Sequence, residues 1–380
     1  ALGRAARARC RGRFLAVTGS VGKTGTKEAL RLALEAHGPT HASSGNLNNQ
    51  WGVPLSLARL PPDARFGVFE LGMNHPGEIA PLARQVRPHV AIVTTVEAVH
   101  LEFFPSVEAI ADAKAEVFEG MDGDGAAVLN RDNPMFEGLA GAARGGGLGR
   151  IVGFGRDPRA EARLLDCRLH GSGSDVSAAI LGERLDYALP VPGLHHVLNS
   201  LAVLAAVALA GGEPAVAAAA LARLRPIEGR GARLHVPAAG GTIEVIDESY
   251  NASPVAVRAA LEVLARSRPG GGGRRIAVLG DMLELGREGP RLHAELAEAV
   301  VGAGVDLVLT AGALMRHLSE ALPPERRGPH AADSAALLPA VIDTVRPGDV
   351  VLVKGSLGSR MKPIVEALAG LGVHLPASRQ

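Results

Sequence analysis

Aromatic residues, cysteines, net charge and long apolar runs are all scarce in this sequence of 380 residues. Phe, Trp and Tyr together make up 3% of the chain, which argues against a surface built to stack nucleic-acid bases. The formal net charge of +1 gives no electrostatic reason to expect a nucleic acid or an anionic membrane as partner. No apolar run reaches the about 20 residues that a membrane-spanning helix needs. We therefore expect no nucleic-acid partner and no membrane span.

The two cysteines, Cys10 and Cys167, are too few for a disulfide framework or a cysteine-based zinc site. This usage favours a reducing, cytoplasmic setting. The segment Ala1–Arg13 carries five arginines but no following apolar region, so it is not a secretory signal. We interpret it as the end of a helix whose earlier part is absent.

One segment, Phe14–Glu28 (FLAVTGSVGKTGTKE), combines an apolar strand, a glycine-containing loop and the start of a helix. Its glycines permit backbone torsions that turn N–H groups toward an anion, and the helix N-terminus adds partial positive charge. Lys23 can reach a terminal phosphate, and the Thr24 hydroxyl can ligate Mg²⁺. The alternative is an ordinary glycine-rich turn. The predicted nucleotide-binding residues are Thr18, Gly19, Ser20, Val21, Gly22, Lys23, Thr24 and Gly25.

Apolar strand-like runs alternate with helical runs along the chain, which predicts an α/β fold with mostly parallel sheets covered on both faces. A break rich in Pro, Gly and charge at Leu224–Arg233 predicts a linker between two domains. We expect a P-loop domain with a doubly wound sheet at residues 1–230 and a second, Rossmann-like domain at 231–380. Arg163–Leu169 and Val176–Leu181 are predicted as antiparallel edge strands, and residues 138–149 as a flexible surface loop.

Polar residues follow several strands of the first domain, and ligands in open α/β sheets bind beyond the carboxyl ends of strands. Glu70 ends a buried strand, where a carboxylate needs a partner. The partner can be Mg²⁺ beside the predicted nucleotide-binding loop at residues 18–25, called the phosphate loop below. The alternative is a salt bridge or a helix cap. His100 follows the next strand, although a lone histidine is more often structural than a ligand. Lys114 lies inside a predicted helix, and its spacing alone does not distinguish it from a solvated lysine.

The second domain repeats this arrangement. Asp247 ends a strand, where it can accept ribose hydroxyls or cap the next helix, a role that Ser253 can also fill. Lys354 ends the last strand and Arg360 follows shortly after. Either cation can hold a carboxylate or a phosphate.

Several blocks together resemble the Mur ligases, the ATP-dependent amide-forming enzymes of bacterial cell-wall synthesis. They occur in the family's order and span nearly the whole chain. Two of them, ELGMNHPGEI and DESYNASP, are specific to the branch that adds D-alanyl-D-alanine. The blocks are TGSVGKTGTKE (18–28), GNLNNQWGVPLSL (45–57), ELGMNHPGEI (70–79), HLEFF (100–104), AKAEVF (113–118), DESYNASP (247–254), GDMLELG (280–286) and VKGS (353–356).

The resemblance implies that ATP activates a carboxylate of a UDP-N-acetylmuramoyl tripeptide as an acyl phosphate, and that D-alanyl-D-alanine then forms the amide. It implies one Mg²⁺ held by Thr24 and Glu70. It implies a second Mg²⁺ served by His100 and by Lys114 carbamylated with CO₂, since Mg²⁺ prefers oxygen donors. The catalytic residues implied are Lys23, Glu70, His100 and Lys114. We expect a monomer.

For the nucleotide, the resemblance implies that Asn199, Arg230 and Asp247 contact adenosine, with Arg230 approaching the γ-phosphate. The candidate residues for the dipeptide pocket are Asn46, Asn49 and Asn74.

The sequence also departs from the family's pattern. His196 stands where an asparagine is usual, and Gly25 where Ser or Thr is common. The family's amino-terminal domain, which holds the UDP end of the substrate, is missing from this sequence. Two alternatives therefore stay open: a chain that binds ATP without ligase turnover, and a P-loop kinase or ATPase.

Overall fold

The computed structural model of this protein describes residues 1–238 and 240–371. It divides into two compact units, Ala1–Leu224 and Arg225–Gln380. The division lies inside the predicted linker, ahead of the boundary expected at residues 230 and 231. The reason is local hydrogen bonding: Gly229 N–H donates to the carboxylate of Asp247, and Gly231 N–H donates to the Asp247 carbonyl. The end of the linker is therefore part of the second unit.

The first unit is built on a nine-stranded sheet in the order β2-β3-β1-β4-β5-β6-β7-β8-β9. The strands from β2 to β7 run parallel, whereas β7, β8 and β9 pair antiparallel, as predicted for β7 and β8. Their predicted position at the edge was wrong, because β9 pairs with β8 and is itself the edge strand. The strands are β1 (Arg13–Thr18), β2 (Thr40–Ala42), β3 (Phe66–Glu70), β4 (Val90–Val93), β5 (Ala126–Asn130), β6 (Arg150–Gly155), β7 (Ala162–His170), β8 (Gly173–Ile180) and β9 (Glu183–Leu189). The helices are α1 (Leu2–Arg9), α2 (Lys23–Glu35), α3 (Gly52–Ala58), α4 (Ile79–Val86), α5 (Val107–Ala115), α6 (Phe136–Gly145), α7 (Leu194–Leu209) and α8 (Pro214–Leu221).

Strand β1 shows how the sheet buries both of its faces. Leu15 and Val17 belong to one core with residues of α2, α7 and α8. Phe14 and Ala16 point to the other face, into a core with residues of α1 and α3 to α6. This double burial explains why the parallel strands are continuous apolar runs. In the described part of the chain, no helix combines the length and apolarity required to cross a membrane.

The expectation of a flexible loop at residues 138–149 was wrong, because α6 occupies most of this stretch. Its buried residues are Phe136, Leu139, Ala140 and Ala143. Their spacing is that of one helix face, which packs in the second core of the sheet. The glycines between them obscured this period in the sequence.

The second unit is built on a six-stranded sheet in the order β10-β11-β15-β12-β13-β14. Only the β10–β11 pair is antiparallel among the strands described. The predicted class, two α/β units with mostly parallel sheets, is thus confirmed. The strands are β10 (Ala232–Ala238), β11 (Gly241–Glu248), β12 (Arg275–Gly280), β13 (Leu307–Ala311), β14 (Arg327–Ala331) and β15 (Val350–Lys354). The helices are α9 (Pro254–Arg266), α10 (Gly289–Ala294), α11 (Leu296–Gly302), α12 (Met315–Ala321), α13 (Ser334–Thr344) and α14 (Lys362–Gly370).

Candidate nucleotide and metal site

The loop between β1 and α2 requires glycine at two positions. Gly22 precedes α2 with φ 83°, and a Cβ there would lie 2.8 Å from Asn199 Nδ2. Gly19 has φ 139°, and a Cβ there would lie 2.0 Å from the Thr94 hydroxyl oxygen. Among the described residues, no side chain caps the N-terminus of α2. The first helical turn therefore offers its N–H groups and partial positive charge to an anion.

The chain that continues β4 holds this loop in place. The Thr94 hydroxyl donates to the Val21 carbonyl at 2.6 Å, and Ser20 N–H donates to the Thr95 carbonyl at 2.8 Å. The Ser20 hydroxyl donates to the Glu97 carbonyl and accepts from Glu97 N–H at 2.9 Å. Burial raises the pKa of the Glu97 carboxyl, and a hydrogen bond from the Thr95 hydroxyl opposes that rise. Thr94 could not be recognised from the sequence, since its contact with the loop depends on the pairing of β4 with β1.

Lys23 lies against the phosphate loop. Its Nζ donates to the carbonyls of Gly19 at 2.8 Å and Ser20 at 3.2 Å. Thr24, the next residue, is buried in the first turn of α2. The hydroxyl of Thr18, at the end of β1, is buried and has no hydrogen-bond partner among the described residues. The ammonium of Lys23 is thus positioned to contact a phosphate held by this loop.

Glu70 ends β3 directly beside this loop, because Glu70 pairs with Val17 in the sheet register. The residue is 2% exposed. Its Oε1 accepts a hydrogen bond from Asn48 Nδ2 at 2.8 Å, whereas its Oε2 is buried without a partner in the described chain. A buried carboxylate oxygen without a donor is costly, and a divalent cation satisfies it. The residues present therefore fit a Mg²⁺ ion at this point.

Lys114 lies in the last turn of α5 and is 2% exposed. Burial, together with the nearby charge of Lys23, lowers the pKa of the Lys114 amine well below its usual value. The structure thus brings Lys114 within electrostatic range of the phosphate loop. Lowering the pKa of an amine raises the fraction that is neutral and nucleophilic at a given pH.

His100 lies in the turn after β4, half-buried, with a left-handed backbone at φ 58°. Its carbonyl accepts from Phe103 N–H at 2.8 Å, and the Phe103 ring contacts the ring of His75 at 4.8 Å between centroids. Within the described residues, no group of three or more His, Cys, Asp and Glu is arranged to hold a metal ion. A Mg²⁺ site here must complete its ligand set with hydroxyls, water, substrate phosphates or a modified lysine.

In the second unit, Asp247 is 3% exposed, and both of its carboxylate oxygens accept hydrogen bonds from nearby residues. One carboxylate oxygen accepts from Gly229 N–H at 3.0 Å, and the other accepts from Ser249 N–H and from its hydroxyl at 2.6 Å. The guanidinium of Arg230 lies 4.2 Å from the centre of the Tyr250 ring. The predicted adenosine contacts of Asp247 and Arg230 stay predictions.

The Lys354 ammonium is also engaged by its own unit. It is 3% exposed and donates to Glu248 Oε2 at 3.0 Å and to the Asn251 carbonyl at 2.9 Å. The partners of Lys354 in the structure are therefore groups of its own unit. The sequence had suggested a carboxylate or phosphate of a ligand instead. Arg360, the second suggested cation, is exposed.

The candidate dipeptide residues are found in different settings. Asn49 Oδ1 accepts from the N–H groups of Trp51 and Gly52 at the start of α3, while Asn46 and Asn74 are exposed. Their predicted role in the dipeptide pocket stays a prediction. Sequence inspection missed Asn48, which lies in the same block and is the residue that contacts Glu70.

Comparison with known proteins covers most of the chain. The family model of the Mur ligase middle domain matches residues 17–207, and that of the Mur ligase, glutamate ligase domain matches residues 229–357. The UDP-N-acetylmuramoyl-tripeptide–D-alanyl-D-alanine ligase of Rickettsia prowazekii is 32% identical over 93% of this chain and 77% of its own length. A crystal structure of MurF from Acinetobacter baumannii matches with a TM-score of 0.88 at 28% identity, covering 97% of this chain and 79% of that one. The MurF ligase of Thermotoga maritima in complex with ADP matches with a TM-score of 0.83 at 27% identity, covering 97% and 83%. This chain therefore belongs to the Mur ligase family.

Proposed function

We propose that this chain is an ATP-dependent ligase of peptidoglycan-precursor synthesis that joins D-alanyl-D-alanine to a UDP-N-acetylmuramoyl tripeptide. The likeness to ligases of this name extends over both units. The observation that carries the proposal is the pairing of an uncapped helix N-terminus with the unpartnered buried oxygen of Glu70 at adjoining strand ends. Together they fit a triphosphate with its cation.

The reaction needs phosphoryl transfer because a carboxylate does not react with an amine in water. The terminal carboxylate of the tripeptide attacks the γ-phosphorus of ATP, and the bond to the β,γ-bridging oxygen breaks, giving an acyl phosphate and ADP. The amine of D-alanyl-D-alanine then attacks the acyl carbon, loses a proton and expels inorganic phosphate. Lys23 and the N–H groups of the loop stabilise the negative charge on the transferring group.

Thr24 and Glu70 are the residues that would hold Mg²⁺ beside the phosphates. When bound, the ion neutralises phosphate charge and orients the β and γ groups. The support from this chain is the unpartnered Glu70 Oε2 and the position of Thr24 in the first turn of α2.

Lys114 is proposed to carry a carbamate. Its neutral amine attacks CO₂, a C–N bond forms, and a proton leaves to solvent, so an amine without oxygen becomes an oxygen donor. Burial of the amine supports this, because an ammonium could not react. His100 and the carbamate would then serve a second Mg²⁺, and Asn199, Arg230 and Asp247 would hold adenosine.

We also propose that the chain acts as a monomer in the cytoplasm. The support for the compartment is the presence of only two cysteines in the sequence. Sedimentation of the purified chain would give its mass in solution and so test whether it is a monomer.

The proposed reaction is tested by measuring phosphate release and the mass of the product with ATP, the nucleotide tripeptide and D-alanyl-D-alanine. We expect phosphate release that requires both substrates and a product of the mass of the amide. Phosphate release that does not depend on either substrate would instead identify an ATPase. ATP binding without any product would identify a nucleotide-binding chain without turnover.

A further inference from the structure

Asn48 is the residue that touches the carboxylate of Glu70. It lies in the segment between β2 and α3, and its Nδ2 donates to Glu70 Oε1 at 2.8 Å. The other carboxylate oxygen, Oε2, is buried and has no partner among the residues described. One oxygen is thus held by the protein, and the other is left for something else.

The chemistry of the amide makes this contact selective. Only the N–H₂ group of an asparagine can favourably face a carboxylate oxygen, because its carbonyl would repel it. A donor at Oε1 restricts rotation of the carboxylate. An immobilised carboxylate whose second oxygen has no partner among the described residues can present that oxygen to a divalent cation.

Asn48 is itself fixed by the backbone of two loops. Its N–H donates to the Asn46 carbonyl at 2.7 Å, and its carbonyl accepts from Gly72 N–H at 2.8 Å. A Cβ added at Gly72 would lie 2.9 Å from Asn48 Cγ, so the side chain lies directly against this glycine. Asn48 therefore joins the segment after β2 to the segment after β3.

The same segment is attached to the phosphate-loop helix by a lysine. Lys27 is fully buried, one turn after Lys23 in α2. Its Nζ donates to the carbonyls of Ser43 at 2.7 Å and Gly45 at 3.2 Å. The start of the segment that carries Asn48 is thus tied to the helix that begins at the phosphate loop.

We propose that Asn48 is a positioning residue that fixes the orientation of the Glu70 carboxylate, with Oε2 directed to bind a divalent cation. This inference deepens the proposed function and rests on the metal role of Glu70 given there. It predicts that Asn48 acts on metal affinity rather than on the affinity for nucleotide alone.

The test uses Mn²⁺ as probe, with its affinity for the ADP complex measured by electron paramagnetic resonance and ADP affinity without metal measured by calorimetry. We expect Asn48→Ala to weaken Mn²⁺ binding about ten-fold or more, the usual effect of removing a partner of a metal ligand, with metal-free ADP affinity within about two-fold of wild type.

Three further variants keep the outcome decisive. Gly72→Ala displaces the Asn48 side chain without removing it and should weaken Mn²⁺ binding in the same direction. Gln50→Ala, an exposed amide in the same segment, should leave it unchanged. Glu70→Gln gives the loss expected when the ligand itself is removed.

Unchanged Mn²⁺ affinity in Asn48→Ala, with a loss in Glu70→Gln, would overturn the role of Asn48 and leave the proposed function intact. An equal loss of metal-free ADP affinity would also overturn it, since that is the result of a purely structural role. Unchanged affinity in Glu70→Gln would remove the metal role of Glu70 and this inference with it.

Discussion

The polar residues that follow strands are used in opposite ways in the two units. In the first unit, Glu70 keeps an unpartnered buried oxygen within the described chain, and α2 begins without a side-chain cap. In the second unit, Asp247 and Lys354 bond to their own surroundings, and the Ser253 hydroxyl caps α9. The three charged residues are nearly equally buried, at 2–3% exposure. Position at a strand end therefore does not distinguish these groups, whereas the hydrogen-bonding capacity that each leaves unfilled does.

The same contrast applies to two buried lysines. Lys354 has a carboxylate and a carbonyl as partners, whereas the Lys114 amine has its pKa lowered by burial and by the charge of Lys23. A buried charge with partners contributes to the fold, and one without compensation destabilises it. We therefore expect removal of the two amines to change stability in opposite directions.

The largest effect is expected for Lys114→Ala, which should abolish turnover because no carbamate can form. Short carboxylates added to the assay should restore part of the activity by occupying the space of the carbamate. The measurement is amide formation with and without added carboxylate, with ADP binding as the control for folding. Wild-type activity in this variant would rule out the carbamate.

Lys23→Ala should lower the rate by about 10²–10³-fold, since a charge-stabilising contact of this kind supplies about 3–4 kcal/mol. Its ammonium donates to two loop carbonyls in this structure, so the variant should also lose about 1–2 kcal/mol of stability. Single-turnover phosphate release and a thermal melt check both parts. A rate equal to wild type would show that Lys23 does not bind the phosphate.

Lys354→Met should destabilise the second unit by about 2–3 kcal/mol. Breaking a buried ion pair costs about 3–5 kcal/mol, and the effect is smaller here because the Glu248 side chain is 21% exposed. Urea unfolding, followed with a probe in the second unit, measures it. The matched control is Lys362→Met, whose pair with Glu228 is exposed on both sides and should contribute little to stability. Equal losses of stability in Lys354→Met and Lys362→Met would contradict the contrast between the buried and the exposed ion pair.

Lys114→Met should stabilise the first unit by about 1–2 kcal/mol at pH 7 in buffer free of CO₂. Replacing a residue that serves function at the expense of stability often has this effect. Because the pKa of Lys114 is lowered in the fold, the unfolded chain binds more protons, and wild-type stability should rise with pH up to about 10. The gain from methionine should therefore shrink as the pH rises. Urea unfolding at several pH values measures this, and a variant less stable than wild type at pH 7 would refute it.

Sequence inspection was most successful where the relevant residues are consecutive. A strand, a glycine loop and the start of a helix were predicted within Phe14–Glu28, and the structure has the strand at Arg13–Thr18 and the helix at Lys23–Glu35. It failed for α6, where glycines obscured the helical period. It could not find the contact of Asn48 with Glu70, since the two residues are 22 positions apart and meet only when β2 and β3 are neighbours.

The sequence by itself determined the α/β class from the alternation of strands and helices, the location of the phosphate loop and the resemblance to a family, because each depends on residues close together along the chain. Only the tertiary structure decided which buried polar groups are already satisfied. Asp247 and Glu70 are both acids that end apolar strands, and the sequence treats them alike. Their difference arises from donors that other segments bring to them: Gly229 and Ser249 occupy both oxygens of Asp247, while Asn48 occupies one oxygen of Glu70.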